Sequence, residues 1–282
     1  MEVIRARLAG FCMGVGLALK KLDDLLAADS SRTTFMLGPI IHNPQVLEDY
    51  AQRGVALAKT VAEVPSGARV VIRAHGIPAG DERELIARGV EVVDATCPKV
   101  KRAQLLIDEQ AETGRSLLLF GETDHPEVRG LLSYAGEEPF VFETPEELAA
   151  HALAPGRQYF LAAQTTQDRK AFEQIKADLT DRLKDDLVVL NTICDATRLR
   201  QDEAIRLAGQ ADCVVVVGGK ASGNTRRLAQ VIEAQQTPTI LVETVDDLHG
   251  IDVVKYGKMG LTAGASTPKR IIDEIEAHLR AL

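Results

Sequence analysis

The stretch Val188–Gln201 reads VVLNTICDATRLRQ and joins an apolar run to a polar segment rich in arginine. Cys194 lies at the turn between the two. A thiol at the junction of a strand and a helix is partly exposed and lies near the positive end of the helix dipole, which favours the thiolate. Because a thiolate can attack carbon or bind a metal ion, this turn indicates chemistry on an α/β scaffold.

The same pattern occurs twice more. Glu91–Pro98 ends an apolar run at Cys97 and leads into a helix, and Val3–Leu8 is followed by Cys12 and another helix. The three cysteines are separated by 85 and 97 residues. Three such segments at near-equal spacing predict three similar lobes, each bringing one thiolate to a shared centre. The alternative is three unrelated cysteines buried for packing.

Composition narrows the class of protein. The chain has 282 residues, is 45% hydrophobic and 26% charged, and carries a net charge of −8. These values predict a packed domain core and argue against non-specific nucleic-acid binding and against a polybasic membrane patch. The sequence also bears on location. No apolar run approaches the roughly 20 residues that a membrane-spanning helix needs, and no signal-peptide pattern is present. Four widely spaced cysteines do not form a disulfide framework. We therefore expect a cytoplasmic protein.

Strand-like and helix-like segments alternate throughout, which predicts an α/β fold with small, mainly parallel sheets. We place the lobe boundaries near the second and third cysteines, giving lobes at 1–96, 97–193 and 194–282. The pattern predicts no strand between Arg53 and Ala68. It predicts that the helix after Cys194 begins near Arg200.

Polar residues are concentrated where predicted strands end. In open α/β sheets, ligands bind outside the carboxyl ends of the strands. The loops there carry His42, His75, His125, Glu127, Thr165, Thr166, Ser222, Asn224 and Ser266. Histidines facing a cavity and hydroxyls at helix N-termini suit an anion such as phosphate. The loop Gly218–Ser222 is not a Walker sequence, so ATP is not favoured. Glu127, in a first helical turn, is either a partner of the helix dipole or a proton donor.

The cysteine pattern leaves three possibilities for a metal. No Cys-x-x-Cys pair occurs, which excludes zinc ribbons and ferredoxin-type runs. A [4Fe-4S] cluster with one iron not bound by cysteine, a zinc site with three cysteines, and the absence of any metal all remain open. The fourth cysteine, Cys213, begins the apolar run Cys-Val-Val-Val-Val and is predicted to pack in a core strand.

Ordered motifs along the whole chain carry a family resemblance. They are Gly10-Phe11-Cys12-x-Gly14-Val15, Ile41-His42-Asn43-Pro44, Arg73-Ala74-His75-Gly76, Asp94-Ala95-Thr96-Cys97-Pro98, His125-Pro126-Glu127-Val128, Gln164-Thr165-Thr166, Asn191-Thr192-Ile193-Cys194, Ser222-x-Asn224-Thr225 and Thr262-Ala263-Gly264-Ala265-Ser266. With these motifs the chain resembles the 4-hydroxy-3-methylbut-2-enyl diphosphate reductases of the non-mevalonate isoprenoid pathway. One departure is Gly223, where some members have a second serine.

The resemblance implies three lobes in a trefoil around a [4Fe-4S] cluster held by Cys12, Cys97 and Cys194, with the substrate hydroxyl on the open iron. His42, His75, His125, Ser222, Asn224 and Ser266 would hold the diphosphate. Thr165 and Thr166 would order the hydroxyl end, and Glu127 would deliver a proton. Electrons would come from reduced ferredoxin or flavodoxin. Two other classes stay open: a cluster-dependent hydro-lyase, which needs no reductant, and a non-enzymatic iron–sulfur redox sensor, which needs no anion pocket.

Overall fold

Short strands and amphipathic helices alternate along the chain. The structure, a computed structural model, describes residues 1–28 and 32–282. Within those residues the strands are β1 (Glu2–Arg5), β2 (Thr34–Leu37), β3 (Val55–Ala58), β4 (Arg69–Ile72), β5 (Glu91–Asp94), β6 (Ser116–Phe120), β7 (Phe140–Phe142), β8 (Tyr159–Ala163), β9 (Leu187–Val189), β10 (Cys213–Val217), β11 (Thr239–Val242) and β12 (Lys258–Ala263).

Helices connect these strands. They are α1 (Met13–Ala28), α2 (Pro44–Gln52), α3 (Ala79–Ala87), α4 (Pro98–Glu112), α5 (Pro126–Leu132), α6 (Pro145–Ala150), α7 (Arg169–Leu183), α8 (Asp195–Ala208), α9 (Gly223–Glu233) and α10 (Lys269–Ala281). Proline occupies the start of α4, α5 and α6, where its fixed φ suits the helix and its missing N–H is not needed.

The strands form three four-stranded sheets in which every pairing is parallel. The first, in the order β1-β12-β10-β11, lies in a compact unit made of Met1–Gly16, Ile41–Tyr50 and Asp195–Leu282, which we call unit 1. The sheets β3-β2-β4-β5 and β7-β6-β8-β9 lie in unit 2, made of Leu17–Ile40 and Ala51–Cys194.

Central strands are buried on both faces, as parallel sheets covered by helices require. In β10 every residue is buried. Val215 packs in one cluster with Ile272 and Ile275 of α10, and Val214 packs on the opposite face with Leu228 and Ile232 of α9. Each such side chain contributes about 1.5–3 kcal/mol by leaving water. This burial fixes the register, because a slip of one residue would exchange the two faces.

The three small parallel sheets confirm the predicted fold class, and two local predictions are wrong. Val55–Ala58 is a strand at the edge of its sheet, where no strand was expected. The helix after Cys194 begins at Asp195 rather than near Arg200, so that the cysteine directly precedes it.

One strand also differs in its grouping from the predicted lobe 1–96. β1 pairs with β12 of the carboxyl-terminal region, with Val3 opposite Met259. Pairing between distant segments leaves no local sequence signal. The lobe boundaries as a whole stay a prediction. Among the described residues, no helix is both long and apolar enough to cross a membrane.

Candidate active site

In unit 1, two loops at the carboxyl edge of the sheet bring hydroxyl groups together. Ser222 caps α9, its Oγ accepting a 3.4 Å hydrogen bond from the backbone N–H of Thr225. Ser266, in the loop after β12, has its Oγ 3.5 Å from that of Ser222 and donates at 3.3 Å to the backbone carbonyl of His42. Three of the predicted substrate-binding residues of this unit are therefore neighbours in space.

Glycines allow these loops to approach one another closely. A Cβ atom at Gly219 would lie 2.6 Å from the carbonyl oxygen of His42, and one at Gly264 would lie 2.1 Å from Oγ1 of Thr225. Both distances are shorter than any real Cβ contact, so only glycine fits at either position. The first contact is with backbone and the second with a side chain, and both need a residue without a Cβ atom.

Asn224 gives this cluster its clearest ligand-binding character. The side chain is 8% exposed, and its Nδ2 has no hydrogen-bond partner in the structure. A buried amide donor without a partner costs free energy unless a ligand accepts its hydrogen bond. Asn224 lies in the first turn of α9, where backbone N–H groups and the helix dipole also favour an anion. The arrangement suits phosphate oxygens.

Unit 2 contains a buried carboxyl group, that of Glu127, which is held by hydrogen bonds from Thr165. Glu127, in the first turn of α5, is only 2% exposed. Its Oε1 accepts a 2.6 Å hydrogen bond from the backbone N–H of Thr165, and its Oε2 accepts a 2.9 Å bond from the Thr165 hydroxyl. Both carboxylate oxygens are thereby oriented by one residue.

Burial controls the charge of this carboxyl. Loss of solvent raises the pKa of Glu127 from 4.5 to about 7, although the two hydrogen bonds from Thr165 act in the opposite direction and Glu122 adds a small upward effect. A carboxyl with a pKa near neutrality can hold a proton and release it at physiological pH, which is what a general acid requires.

Thr165 also connects the carboxyl to the third cysteine. While its N–H and hydroxyl bind Glu127, its carbonyl oxygen accepts a 3.1 Å hydrogen bond from the backbone N–H of Cys194. The loop before that cysteine is held by Thr192, whose hydroxyl accepts a 2.8 Å hydrogen bond from the Ala163 N–H and donates a 2.7 Å bond to the Ala163 carbonyl. The proton-donor candidate and one candidate metal ligand are therefore held by the same loop.

Two of the predicted histidines lie side by side in unit 2. The rings of His75 and His125 have centroids 5.3 Å apart and meet edge to face. Nδ1 of His125 accepts a 3.1 Å hydrogen bond from the backbone N–H of Glu127. Since Nδ1 is an acceptor, the neutral ring carries its proton on Nε2, which is then a donor. This fixes the tautomer that a ligand would meet.

The three candidate metal ligands share one structural setting. Cys12 directly precedes α1, with its Sγ accepting from the Val15 N–H at 3.4 Å, Cys97 caps α4, and Cys194 directly precedes α8. All three are half-buried. Cys213 instead is fully buried in β10, and burial raises the pKa of its thiol to about 11. Its predicted packing role fits this setting.

One positioning residue was missed in the sequence. Gln164 is 1% exposed, accepts from the Glu122 N–H at 3.0 Å and donates to the Thr166 hydroxyl at 3.2 Å. It thereby fixes the half-buried Thr166 and the loop before α5. Its place after β8 and in the motif Gln164-Thr165-Thr166 was the available signal, but no role was assigned to it there.

Parallel sheets with hydroxyl and amide donors at one carboxyl edge in unit 1, and a buried carboxyl whose pKa is about 7 in unit 2, are typical of an α/β enzyme. The family model described as LytB protein matches residues 3–280. The chain belongs to this family. A relative from Oleidesulfovibrio alaskensis, named 4-hydroxy-3-methylbut-2-enyl diphosphate reductase, is 61% identical over 100% of both chains. A relative from Nitratidesulfovibrio vulgaris with the same name is 57% identical over 100% of both.

Two solved structures with similar folds agree with the family assignment. The chain is similar to a structure titled (E)-4-hydroxy-3-methyl-but-2-enyl diphosphate reductase, the terminal enzyme of the non-mevalonate pathway, with 35% identity, a TM-score of 0.69, and coverage of 100% of this chain and 99% of the other. A structure titled E-1-hydroxy-2-methyl-but-2-enyl-4-diphosphate reductase from Plasmodium falciparum has a TM-score of 0.93 and covers 99% of this chain and 87% of the other. At 24% identity the second likeness concerns the fold.

Proposed function

We propose that the chain reduces (E)-4-hydroxy-3-methylbut-2-enyl diphosphate to isopentenyl and dimethylallyl diphosphates. The reaction consumes two electrons and two protons, breaks the C–O bond of the allylic alcohol, forms a C–H bond and releases water. The observation that carries the proposal is the buried Glu127 clamped by Thr165, because loss of hydroxide from carbon requires a proton at the leaving oxygen.

A diphosphate is the anion that the unit 1 cluster suits. We propose that Ser222, Asn224 and Ser266 donate hydrogen bonds to its oxygens, with His42 at the same edge. Backbone N–H groups at the start of α9, including that of Gly223, add to this set. Anchoring the diphosphate orients the reacting carbon at the other end of the substrate. The roles of His75 and His125 toward the diphosphate stay predictions.

Proton delivery is the task of the unit 2 loop. With a pKa of about 7, Glu127 is protonated in roughly half of the molecules at pH 7. The Thr165 hydroxyl, which binds the carboxyl, orders the substrate hydroxyl, and Thr166 lies beside it on the same loop. Because the carboxyl is shielded from water, its proton passes to the leaving oxygen rather than to solvent.

We further propose that Cys12, Cys97 and Cys194 hold a [4Fe-4S] cluster with one iron not bound by cysteine. Their donor chemistry fits such a group, since sulfur is the ligand that iron–sulfur clusters use and each of the three half-buried thiols lies at the start of a helix. A bound cluster of this kind would supply a Lewis acid for the substrate oxygen and a route for electrons. The donor would be a reduced ferredoxin or flavodoxin.

An anaerobic assay of the pure protein tests the activity. The allylic diphosphate is supplied with reduced methyl viologen, and both C5 products are quantified by mass spectrometry. The expected result is turnover with the reductant and none without it. Turnover that proceeds without reductant would instead identify a hydro-lyase. No turnover by protein with a full complement of iron would leave the redox-sensor alternative.

A further inference from the structure

Basic side chains are concentrated at the start of α4, directly after Cys97. Lys99, Lys101 and Arg102 lie among its first five residues, and its first turn contains no acidic residue. The positive end of a helix dipole favours acidic side chains, and a cation there is unfavourable by about 0.3–1 kcal/mol. Interaction with the helix dipole therefore does not explain why Lys99, Lys101 and Arg102 lie at the start of α4.

A fourth cation joins this cluster from α1. Lys21 donates a 2.6 Å hydrogen bond to the backbone carbonyl of Asp94, whose carboxylate lies 3.2 Å from Nζ of Lys101. Partial burial opposes the charge of Lys101, but Asp94 and Glu82 together raise its pKa. The four cations Lys21, Lys99, Lys101 and Arg102 thus lie near the two carboxylates Asp94 and Glu82. This local excess of positive charge contrasts with the net charge of −8 of the whole chain.

Exposed leucines extend the cluster on both helices. Leu105 follows Lys101 by one helical turn and is 61% exposed, and Leu17 precedes Lys21 by one turn and is 41% exposed. We define the α1–α4 basic surface as Leu17, Lys21, Lys99, Lys101, Arg102 and Leu105. Asp108 and Glu109 follow Leu105 on α4, so the positive charge is confined to the first turns of that helix and to Lys21. Exposed apolar side chains beside a group of mainly basic residues are typical of a surface that binds a partner of the opposite charge.

We propose that the α1–α4 basic surface docks a small acidic one-electron carrier protein. The inference rests on the proposed function, which consumes two electrons per substrate. Each reduced carrier is oxidised by one electron, so two successive encounters supply the pair that, with two protons, replaces C–OH by C–H and releases water. Docking beside Cys97 brings the carrier to a proposed ligand of the redox centre.

Binding is measured by biolayer interferometry under anaerobic conditions with an acidic bacterial ferredoxin as the probe, in buffers of low and of physiological ionic strength. The test variant is Lys99→Glu with Arg102→Glu. Its matched control is Lys170→Glu with Arg182→Glu on α7, which makes the same change in net charge on exposed residues of another helix in unit 2. A second test variant, Arg102→Glu with Leu105→Ser, changes only exposed residues of α4.

We expect both test variants to weaken ferredoxin binding about tenfold or more at low salt, while the α7 control stays within about threefold of wild type. Physiological salt should reduce the difference in ferredoxin affinity between wild type and the test variants, because the Debye length falls to about 8 Å at 0.15 M. Turnover with methyl viologen should be unchanged in all variants. If the wild-type enzyme were inactive with methyl viologen, the proposed function would be wrong. The ferredoxin-binding measurement could still be interpreted, because it does not depend on turnover.

Three results would overturn the docking proposal. The first is equal ferredoxin affinity in wild type, test variants and control. The second is a shifted reduction potential with unchanged affinity, which would mean that the cations act on the redox centre itself. The third is a wild-type dimer in sedimentation that the α4 variants convert to monomers without affecting ferredoxin binding, which would assign the surface to a second copy of the chain.

Discussion

Replacing Glu127 by glutamine removes the transferable proton and keeps the shape of the side chain. In the structure the carboxyl accepts two hydrogen bonds from Thr165. The amide of Glu127→Gln can still accept the bond from the Thr165 N–H, and its NH₂ can donate to the hydroxyl. We therefore expect the loop to persist and substrate affinity to stay within a few-fold of wild type.

The size of the effect follows from the carboxyl's environment. An ordinary carboxyl with a pKa of 4.5 would be protonated in about 0.3% of molecules at pH 7, whereas a pKa of about 7 raises that fraction to roughly one half. Burial thus enriches the acid form more than a hundredfold. Loss of general acid catalysis typically lowers turnover by about 10²–10⁴. We expect a decrease in kcat of that order in Glu127→Gln.

The chain offers a matched control at the start of α6. Glu146 follows Pro145 as Glu127 follows Pro126, and both lie in a first helical turn, but Glu146 is exposed. Anaerobic kcat, iron content and thermal midpoint should be measured for Glu127→Gln and Glu146→Gln together. If Glu127 only complements the helix dipole, both variants would keep near-normal kcat and lose about 0.3–1 kcal/mol of stability. That outcome would refute the assignment.

Three further predictions concern pH, the cysteines and the anion cluster. The kcat of wild type should fall as pH rises through about 7, because the carboxyl must be protonated. Since the folded pKa of Glu127 exceeds the unfolded value of 4.5, the contribution of this carboxyl to stability is fully present below pH 4.5 and is lost as pH rises to about 7. The stability of Glu127→Gln relative to wild type should therefore increase by up to roughly 3 kcal/mol between pH 5 and pH 8 in paired melting curves. Serine replacements of Cys12, Cys97 and Cys194 should each deplete iron and abolish the visible absorbance, whereas Cys213→Ser should keep both; the reverse pattern would reject the ligand set. Asn224→Ala should raise KM for the diphosphate at least tenfold with little change in melting temperature, and an unchanged KM would exclude its Nδ2 from substrate binding.

Local patterns were sufficient for most strands and helices. The apolar run of β10 is a signal carried by adjacent residues, and the strand lies where it was predicted. A helix follows Cys97 as predicted and begins at Pro98. The strand Val55–Ala58 was missed because four residues at a sheet edge give little periodicity. The early start of α8 was missed because Asp195, Ala196 and Thr197 lack the apolar spacing that marks a helix.

The candidate site divides in the same way. Residue type and position in a loop sufficed to select Ser222, Asn224 and Ser266 as candidates for binding an anion. They could not indicate that the Ser266 hydroxyl binds the His42 carbonyl, because that contact joins loops more than 200 residues apart in sequence. Gln164 was missed for a similar reason, since its two hydrogen bonds are visible only once the loops are folded.

What the sequence alone determined is the alternation of strands and helices, the three cysteines at helix starts and the resemblance of the ordered motifs, since all of these depend on neighbouring residues. The tertiary structure decided the pairing of β1 with β12 and the chemistry of Glu127. In the sequence this residue was equally a dipole partner or an acid. Only folding buries it against Thr165, and removal from water is what brings its pKa to about 7.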